Sequence, residues 1–188
     1  FAGAPLPEKI ALFDAYAPRF ERHLTRRLKY RAPQLLVDAL LPLLSGGAQA
    51  AADLGVPFCL MHMQGSPQTM QQDPHYDDVL VQVRQFLTER IFACEMSGIL
   101  KKNIVIDPGF GFGKTLAHNL DLLARLDEIA ASGYPVLAGL SRKSMLGAIT
   151  GRPEGERMAA SVAAALSAVQ RGAAIVRVHD VRETVDAL

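Results

Sequence analysis

A chain of 188 residues with 49% hydrophobic content can bury the core of one ordinary domain, and a formal net charge of +1 excludes a general polyanion binder. The two cysteines, Cys59 and Cys94, stand at no metal or redox spacing inside apolar patterns, which predicts reduced core thiols in a cytoplasmic protein. No apolar run approaches the ~18 residues of a membrane span, and the N-terminus lacks a signal-peptide layout.

Residues 1–47 read as helices. Pro7 and Glu8 open a first pattern, Phe20, Leu24 and Leu28 mark a second amphipathic face, and Pro33 starts a third that ends at Gly46-Gly47. This region is basic, with 7 Lys/Arg against 4 Asp/Glu in residues 1–50, whereas the remainder carries 13 against 15. The cluster Arg19, Arg22, Arg26, Arg27, Lys29 and Arg31 reads as a solvated helix face, with an acidic partner as the alternative.

From Ala48 a repeat begins. Four times a helix closes on glycine and a short apolar strand comes within ten residues. Gly55 precedes Phe58–Met61, Gly98 precedes Ile104–Ile106, Gly133 precedes Val136–Gly139, and Gly172 precedes Ile175–Val178. The glycines are C-caps, and strand spacings of 46, 32 and 39 residues suit βα units. Continuous apolar strands predict a parallel sheet covered on both sides, either half of an eight-stranded barrel or a small open sheet. Edge strands at Phe58 and Ile175 predict a homo-oligomer or aggregate.

The segment after each strand carries the chemistry. After the first comes Met61-His-Met-Gln-Gly65, where Met61 and Met63 share one face. The second ends in Asp107-Pro-Gly-Phe-Gly-Phe-Gly-Lys114. A carboxylate at the lip of a buried strand is where α/β enzymes place working residues. This loop is neither a P-loop, because Pro108 stands where the first glycine is needed, nor a G-x-G-x-x-G fingerprint, because Lys114 replaces its last glycine. After the third comes Ser141-Arg-Lys-Ser144, with Ser144 placed at a helix N-terminus that welcomes a carboxylate. After the fourth comes Arg177-Val-His-Asp180, with Arg177 and His179 on one face, suited to phosphate or pyrophosphate.

These four stretches, in this order, resemble dihydropteroate synthase from about Ala48 to the end of the chain. The resemblance implies a partial TIM (β/α)8 barrel of about four βα units behind the helical leader. It implies a transferase of folate biosynthesis, and a sulfonamide target, that joins 4-aminobenzoate to a 6-hydroxymethyl-7,8-dihydropterin pyrophosphate. It further implies Asp107 and Lys143 as catalytic residues, with Met61, Gly111 and Phe112 beside them in the pterin site. Ser144, Phe112 and Lys143 would face aminobenzoate, and Arg177 and His179 would hold pyrophosphate. The family also uses magnesium, met by an asparagine on an early strand. This chain has only Asn103 and Asn119, both in its second half, so no metal ligand is assigned and the chain is expected to be incomplete and inactive alone.

Residues 1–47 are similar to the helical leader of class I S-adenosylmethionine-dependent methyltransferases, through Leu12–Leu24 and Tyr30–Leu35. Asp53-Leu-Gly55 is succeeded by Val56-Pro57 without the glycine loop of that family, so a chimera is implied rather than a methyltransferase site. The alternatives to a synthase are a non-catalytic, self-associating fragment, a methyltransferase, and another pterin-binding barrel acting on methyl-folate.

Overall fold

Four parallel strands organise residues 57–188, the part of the chain that the computed structural model describes. The leader over residues 1–47, its arginine cluster and the short helix before Gly55 lie outside the described residues. The elements are β1 (Phe58–Met61), α1 (Val79–Met96), β2 (Ile104–Asp107), α2 (Leu116–Ala124), α3 (Leu126–Ala130), β3 (Val136–Ala138), α4 (Ser144–Thr150), α5 (Met158–Gln170), β4 (Ala173–Val176) and α6 (Val181–Ala187). The sheet order is β1-β2-β3-β4, with every neighbouring pair parallel. Strand order never reverses, as it would at the switch point of a doubly wound sheet, so this is the wall of a partial (β/α)8 barrel.

Gly98, Gly133 and Gly172, the three of the four expected capping glycines that lie among the described residues, all have positive φ. In α1, Asp78 caps the N-terminus by accepting from Val81 N–H at 3.0 Å. At the other end Gly98 adopts φ +86°, Gly98 N–H donates to Glu95 O and Ile99 N–H to Cys94 O, a Schellman closure with Ile99 buried behind it. Thr115 caps α2 in a reciprocal box, accepting from His118 N–H while its own N–H reaches His118 Nδ1, both at 3.2 Å.

Four details depart from the sequence reading. The helix expected between Thr115 and Gly133 breaks at Arg125 (φ −109°, ψ 25°), whose guanidinium gathers Asp78, Asp121 and Glu128. The helix expected from Glu154 begins with a single 3-10 turn, and α5 starts at Met158. β4 begins at Ala173 rather than Ile175, because the small side chain of Ala173 is buried in the core directly after Gly172. Arg177 and His179 therefore lie beyond the strand, not on its face.

The sheet is also not covered on both sides by the described residues. Leu60, Ile104, Ile106, Val136, Ala138 and Ala173 point into a core shared with Leu80, Val83 and Leu87 of α1, Leu122 of α2, Ile129 of α3 and Ala168 of α5. The alternate row, Cys59, Val105, Leu137 and Ile175, is half-buried or exposed, with Cys59 beside Val105 and Leu137 beside Ile175 in register. Among the described residues the helices back one face only, which is the outer face of a barrel wall. Cys94 is the core thiol that was expected; Cys59 is exposed. No helix among the described residues is long and apolar enough to cross a membrane.

Burial separates the two kinds of apolar residue on these helices. Leu122 is fully buried and Phe92 is 64% exposed. Leu122→Ala is expected to cost about 3 kcal/mol and Phe92→Ala less than about 0.5 kcal/mol, read from urea unfolding midpoints.

Candidate active site at the strand ends

Parallel strands present all their C-terminal loops at one end, and the four motifs meet there. Asp107 closes β2 in register with Met61, the last residue of β1. Its carboxyl is 1% exposed. Oδ1 accepts from Gly109 N–H at 2.8 Å, whereas Oδ2 is buried without a hydrogen-bond partner. Arg177 Nη2 lies 3.6 Å from Oδ2, close enough for attraction and too long for a hydrogen bond. Burial raises the Asp107 pKa, against the opposing pull of Arg177, Lys143 and Lys114.

The glycine loop after β2 is wedged against the loop after β1. Gly109, Gly111 and Gly113 all have positive φ, and a Cβ at Gly109 would overlap the His62 carbonyl oxygen. Tyr76 Oη donates to Gly113 O at 2.7 Å. Asn119 Oδ1 accepts from Gly111 N–H at 2.7 Å. Lys114 turns inward, and its Nζ contacts His62 Nδ1 and Gly109 O at 2.9 Å and Phe112 O at 3.1 Å. Burial lowers Lys114 to about 7 and His62 to about 3.

The loop after β3 brings in Lys143. Its Nζ stands 4.0 Å from the centre of the Phe112 ring, and its side chain lies against Gly111, where a Cβ would come within 3.1 Å of Lys143 Cδ. Burial, followed by Arg177, lowers Lys143 to about 8, so its ammonium persists at neutral pH. Lys143 is the N-cap of α4, and Ser144 is its exposed first residue. The loop is presented by Arg142, held at φ +56°. Its N–H donates to Ser161 Oγ and its guanidinium to both oxygens of Asp180, the nearer at 2.7 Å. Arg157 Nη1 reaches the carbonyls of Arg142 and Lys143.

Arg177 and His179 diverge in their contacts. The Arg177 side chain runs over Gly139 toward Asp107, whereas His179 Nδ1 meets Ser141 Oγ at 2.9 Å. The structure thus gathers Asp107, Lys143, Phe112, Gly111 and Arg177 around one point. Met61 borders that group, and Ser144 and His179 lie at the ends of the neighbouring loops. Sequence reasoning missed Lys114, His62, Tyr76, Asn119, Arg157 and Ser161 as its supports. Only the Gly113-Lys114 pair carried a visible signal.

A buried carboxylate with an open oxygen thus stands at the C-terminal ends of the parallel strands, flanked by two cations and an aromatic face, where (β/α)8 barrels carry their sites. Residues 45–179 match the family described as pterin binding enzyme. This chain belongs to that family. It is 52% identical over 143 residues to the dihydropteroate synthase of Escherichia coli (strain K12), covering 76% of this chain and 51% of that protein. With the Neisseria meningitidis serogroup C dihydropteroate synthase it shares 54% identity over 139 residues, 73% of this chain and 48% of that one. Among solved structures, dihydropteroate synthase from Stenotrophomonas maltophilia with active-site-bound imidazole superposes with a TM-score of 0.73 at 63% identity, covering 76% of this chain and 54% of that one. The Xanthomonas albilineans enzyme in complex with 7,8-dihydropteroate gives 0.70 at 56%, covering 76% and 52%. The chain spans about half the length of the curated relatives it matches first.

The magnesium implied by the resemblance meets no side-chain cluster among the described residues. Among the described residues no group of three or more His, Cys, Asp and Glu side chains is placed to hold an ion.

His62 makes the site sensitive to acid. Its folded pKa of about 3 lies below its ordinary 6.5, so the unfolded chain takes up a proton that the native state refuses. Stability should therefore fall as pH drops through 6.5 toward 3, by about 2 kcal/mol between pH 7 and pH 5 from this group alone. Asp107, whose folded pKa is raised, works in the opposite direction and gains stability as pH falls toward its ordinary 3.8. Urea titrations at the two pH values should show this loss in wild type and a smaller one in His62→Phe.

Proposed function

We propose that this site is the pterin- and aminobenzoate-facing part of a dihydropteroate synthase. The observation that carries the reading is Asp107 Oδ2, buried and without a hydrogen-bond partner beside Lys143 and Phe112, in a chain of the pterin binding enzyme family. A pterin ring offers adjacent ring N–H and amino N–H donors in its plane, a fork that a carboxylate with one pinned and one open oxygen accepts. Binding favours the ionised form of Asp107, because the donors replace the hydration that burial removed.

In the proposed reaction the aminobenzoate nitrogen attacks the methylene carbon attached to the pterin. The C–N bond forms as the C–O bond to pyrophosphate breaks, the electron pair leaves on pyrophosphate, and the nitrogen loses a proton. Arg177 and His179 receive the pyrophosphate, Arg177 through parallel N–H groups. Lys143 borders both organic substrates, its ammonium meeting charge that develops between them, while Phe112 and Gly111 form the wall between the two rings and Met61 borders the pterin. Ser144 faces the benzoate carboxylate from the first residue of α4.

Titration calorimetry tests the anchor. Asp107→Asn is expected to weaken 6-hydroxymethylpterin binding at least ten-fold, since a charged hydrogen-bond acceptor contributes about 1.5–3 kcal/mol. Equal affinity overturns the assignment. Arg177→Lys should weaken pyrophosphate binding although the charge is kept, because the planar fork is lost. A protein of these 188 residues is expected to bind without synthase turnover, because partial constellations fall far below additive expectation. Incorporation of labelled aminobenzoate at the rate of a complete synthase would contradict that.

A further inference from the structure

Among the described residues, Lys114 is the buried cation near the site that the proposed transfer does not use. Its side chain is 3% exposed, and three acceptors surround Nζ: His62 Nδ1, Gly109 O and Phe112 O, at 2.9, 2.9 and 3.1 Å. In its ammonium form Lys114 has three N–H groups, so each is engaged and none remains for a ligand. His62 must accept through Nδ1, which places its own proton on Nε2. The imidazole is held for this task by Phe86, edge-on at 5.0 Å between centroids, and by the bond from its backbone N–H to Asp107 O at 3.0 Å.

The acceptors belong to two different strand-end loops, and one of them is Gly109. That same residue donates its N–H to Asp107 Oδ1. Lys114 thus grips Gly109 by its carbonyl while Asp107 grips it by its amide. Freed from Lys114, the Gly109 segment gains rotation about two soft dihedrals, and Asp107 loses the donor that fixes the plane of its carboxyl. We propose that Lys114, with His62 as its acceptor, is a positioning residue that joins the β1 and β2 loops and aims the open oxygen of Asp107 at the pterin.

This rests on the reading of Asp107 as the pterin acceptor. A purely packing role accounts poorly for the residue, because an apolar side chain of equal length would fill the space without the desolvation cost of a buried charge. The rest of the loop already has neutral supports in Tyr76 and Asn119.

The test compares wild type, Lys114→Met and Lys114→Arg in the full chain. It uses 6-hydroxymethylpterin and pyrophosphate as separate probes and amide hydrogen exchange as a third readout. For Lys114→Met, pterin affinity should fall at least ten-fold, pyrophosphate affinity should stay within two-fold, and the Gly109 amide should exchange at least ten-fold faster while Ile106 keeps its protection. Lys114→Arg should recover part of the pterin affinity. Pterin affinity within two-fold of wild type in Lys114→Met, or an unchanged Gly109 amide, overturns the proposal. An equal loss for both probes also overturns it, since that marks general damage to the fold. If Lys114→Met does not fold, His62→Phe, which keeps the ring packed on Phe86, is read by the same three measurements and the same limits. If wild type binds no pterin, the reading of Asp107 falls, and Gly109 exchange alone then decides whether Lys114 holds the loop.

Discussion

A carboxylate sealed at the end of a buried strand is the constraint on which this site depends. Asp107 is almost wholly removed from water, and the described residues give its carboxylate one hydrogen bond. An uncompensated buried charge costs several kcal/mol, so the surroundings must supply positive potential or the group takes up a proton. They supply it from three separate loops, as Lys114, Lys143 and Arg177. None satisfies the carboxylate by direct hydrogen bonding. The result is a carboxylate whose burial opposes ionisation while the three cations favour it.

Backbone architecture makes that convergence possible. Parallel strands in chain order bring consecutive loops side by side, so residues 46 and 36 positions from Asp107, Met61 and Lys143, become neighbours of one point. The loops must then approach closely. Gly109 sits on the His62 carbonyl, Gly113 presses on Gln64, and Gly139 lies under the Arg177 guanidinium. At Gly109 and Gly113 the positive φ and the lack of space act together, so no other residue fits without moving the β1 loop.

The sequence was most readable where local and global demands coincide. Ile104–Ile106 is apolar at every position and Gly98 ends α1 in a left-handed turn, so strand and cap were visible from composition and punctuation alone. Asp107 was visible because charge interrupts an apolar run. β4 was misplaced because Ala173 and Ala174 carry too little hydrophobic signal to mark a strand start. The break at Arg125 left no trace in the apolar period, since its cause is an ion-pair cluster that includes Asp78, 47 residues away. Arg142 at φ +56° was equally hidden, because nothing in the residue type announces a left-handed backbone held by Ser161, Asp180 and Arg157.

Lys114 and Lys143 show why motif reading alone could not divide the labour at this site. Lys114 is buried and Lys143 half-buried, both have pKa values lowered by desolvation, and both lie within the field of Asp107. Their hydrogen bonding separates them. Lys114 spends all three N–H groups on protein acceptors, so it can shape the site and cannot contact a ligand. Lys143 rests its charge on the face of Phe112, and among the described residues its Nζ makes no hydrogen bond. A cation over an aromatic face is attracted by about 0.5–2 kcal/mol, comparable to a charge-assisted hydrogen bond, so the contact with Phe112 does not commit the N–H groups of Lys143 as three hydrogen bonds commit those of Lys114. The first lysine is held by protein acceptors on two loops, and the second keeps its N–H groups available. That division comes from where the acceptors stand, not from the residue type.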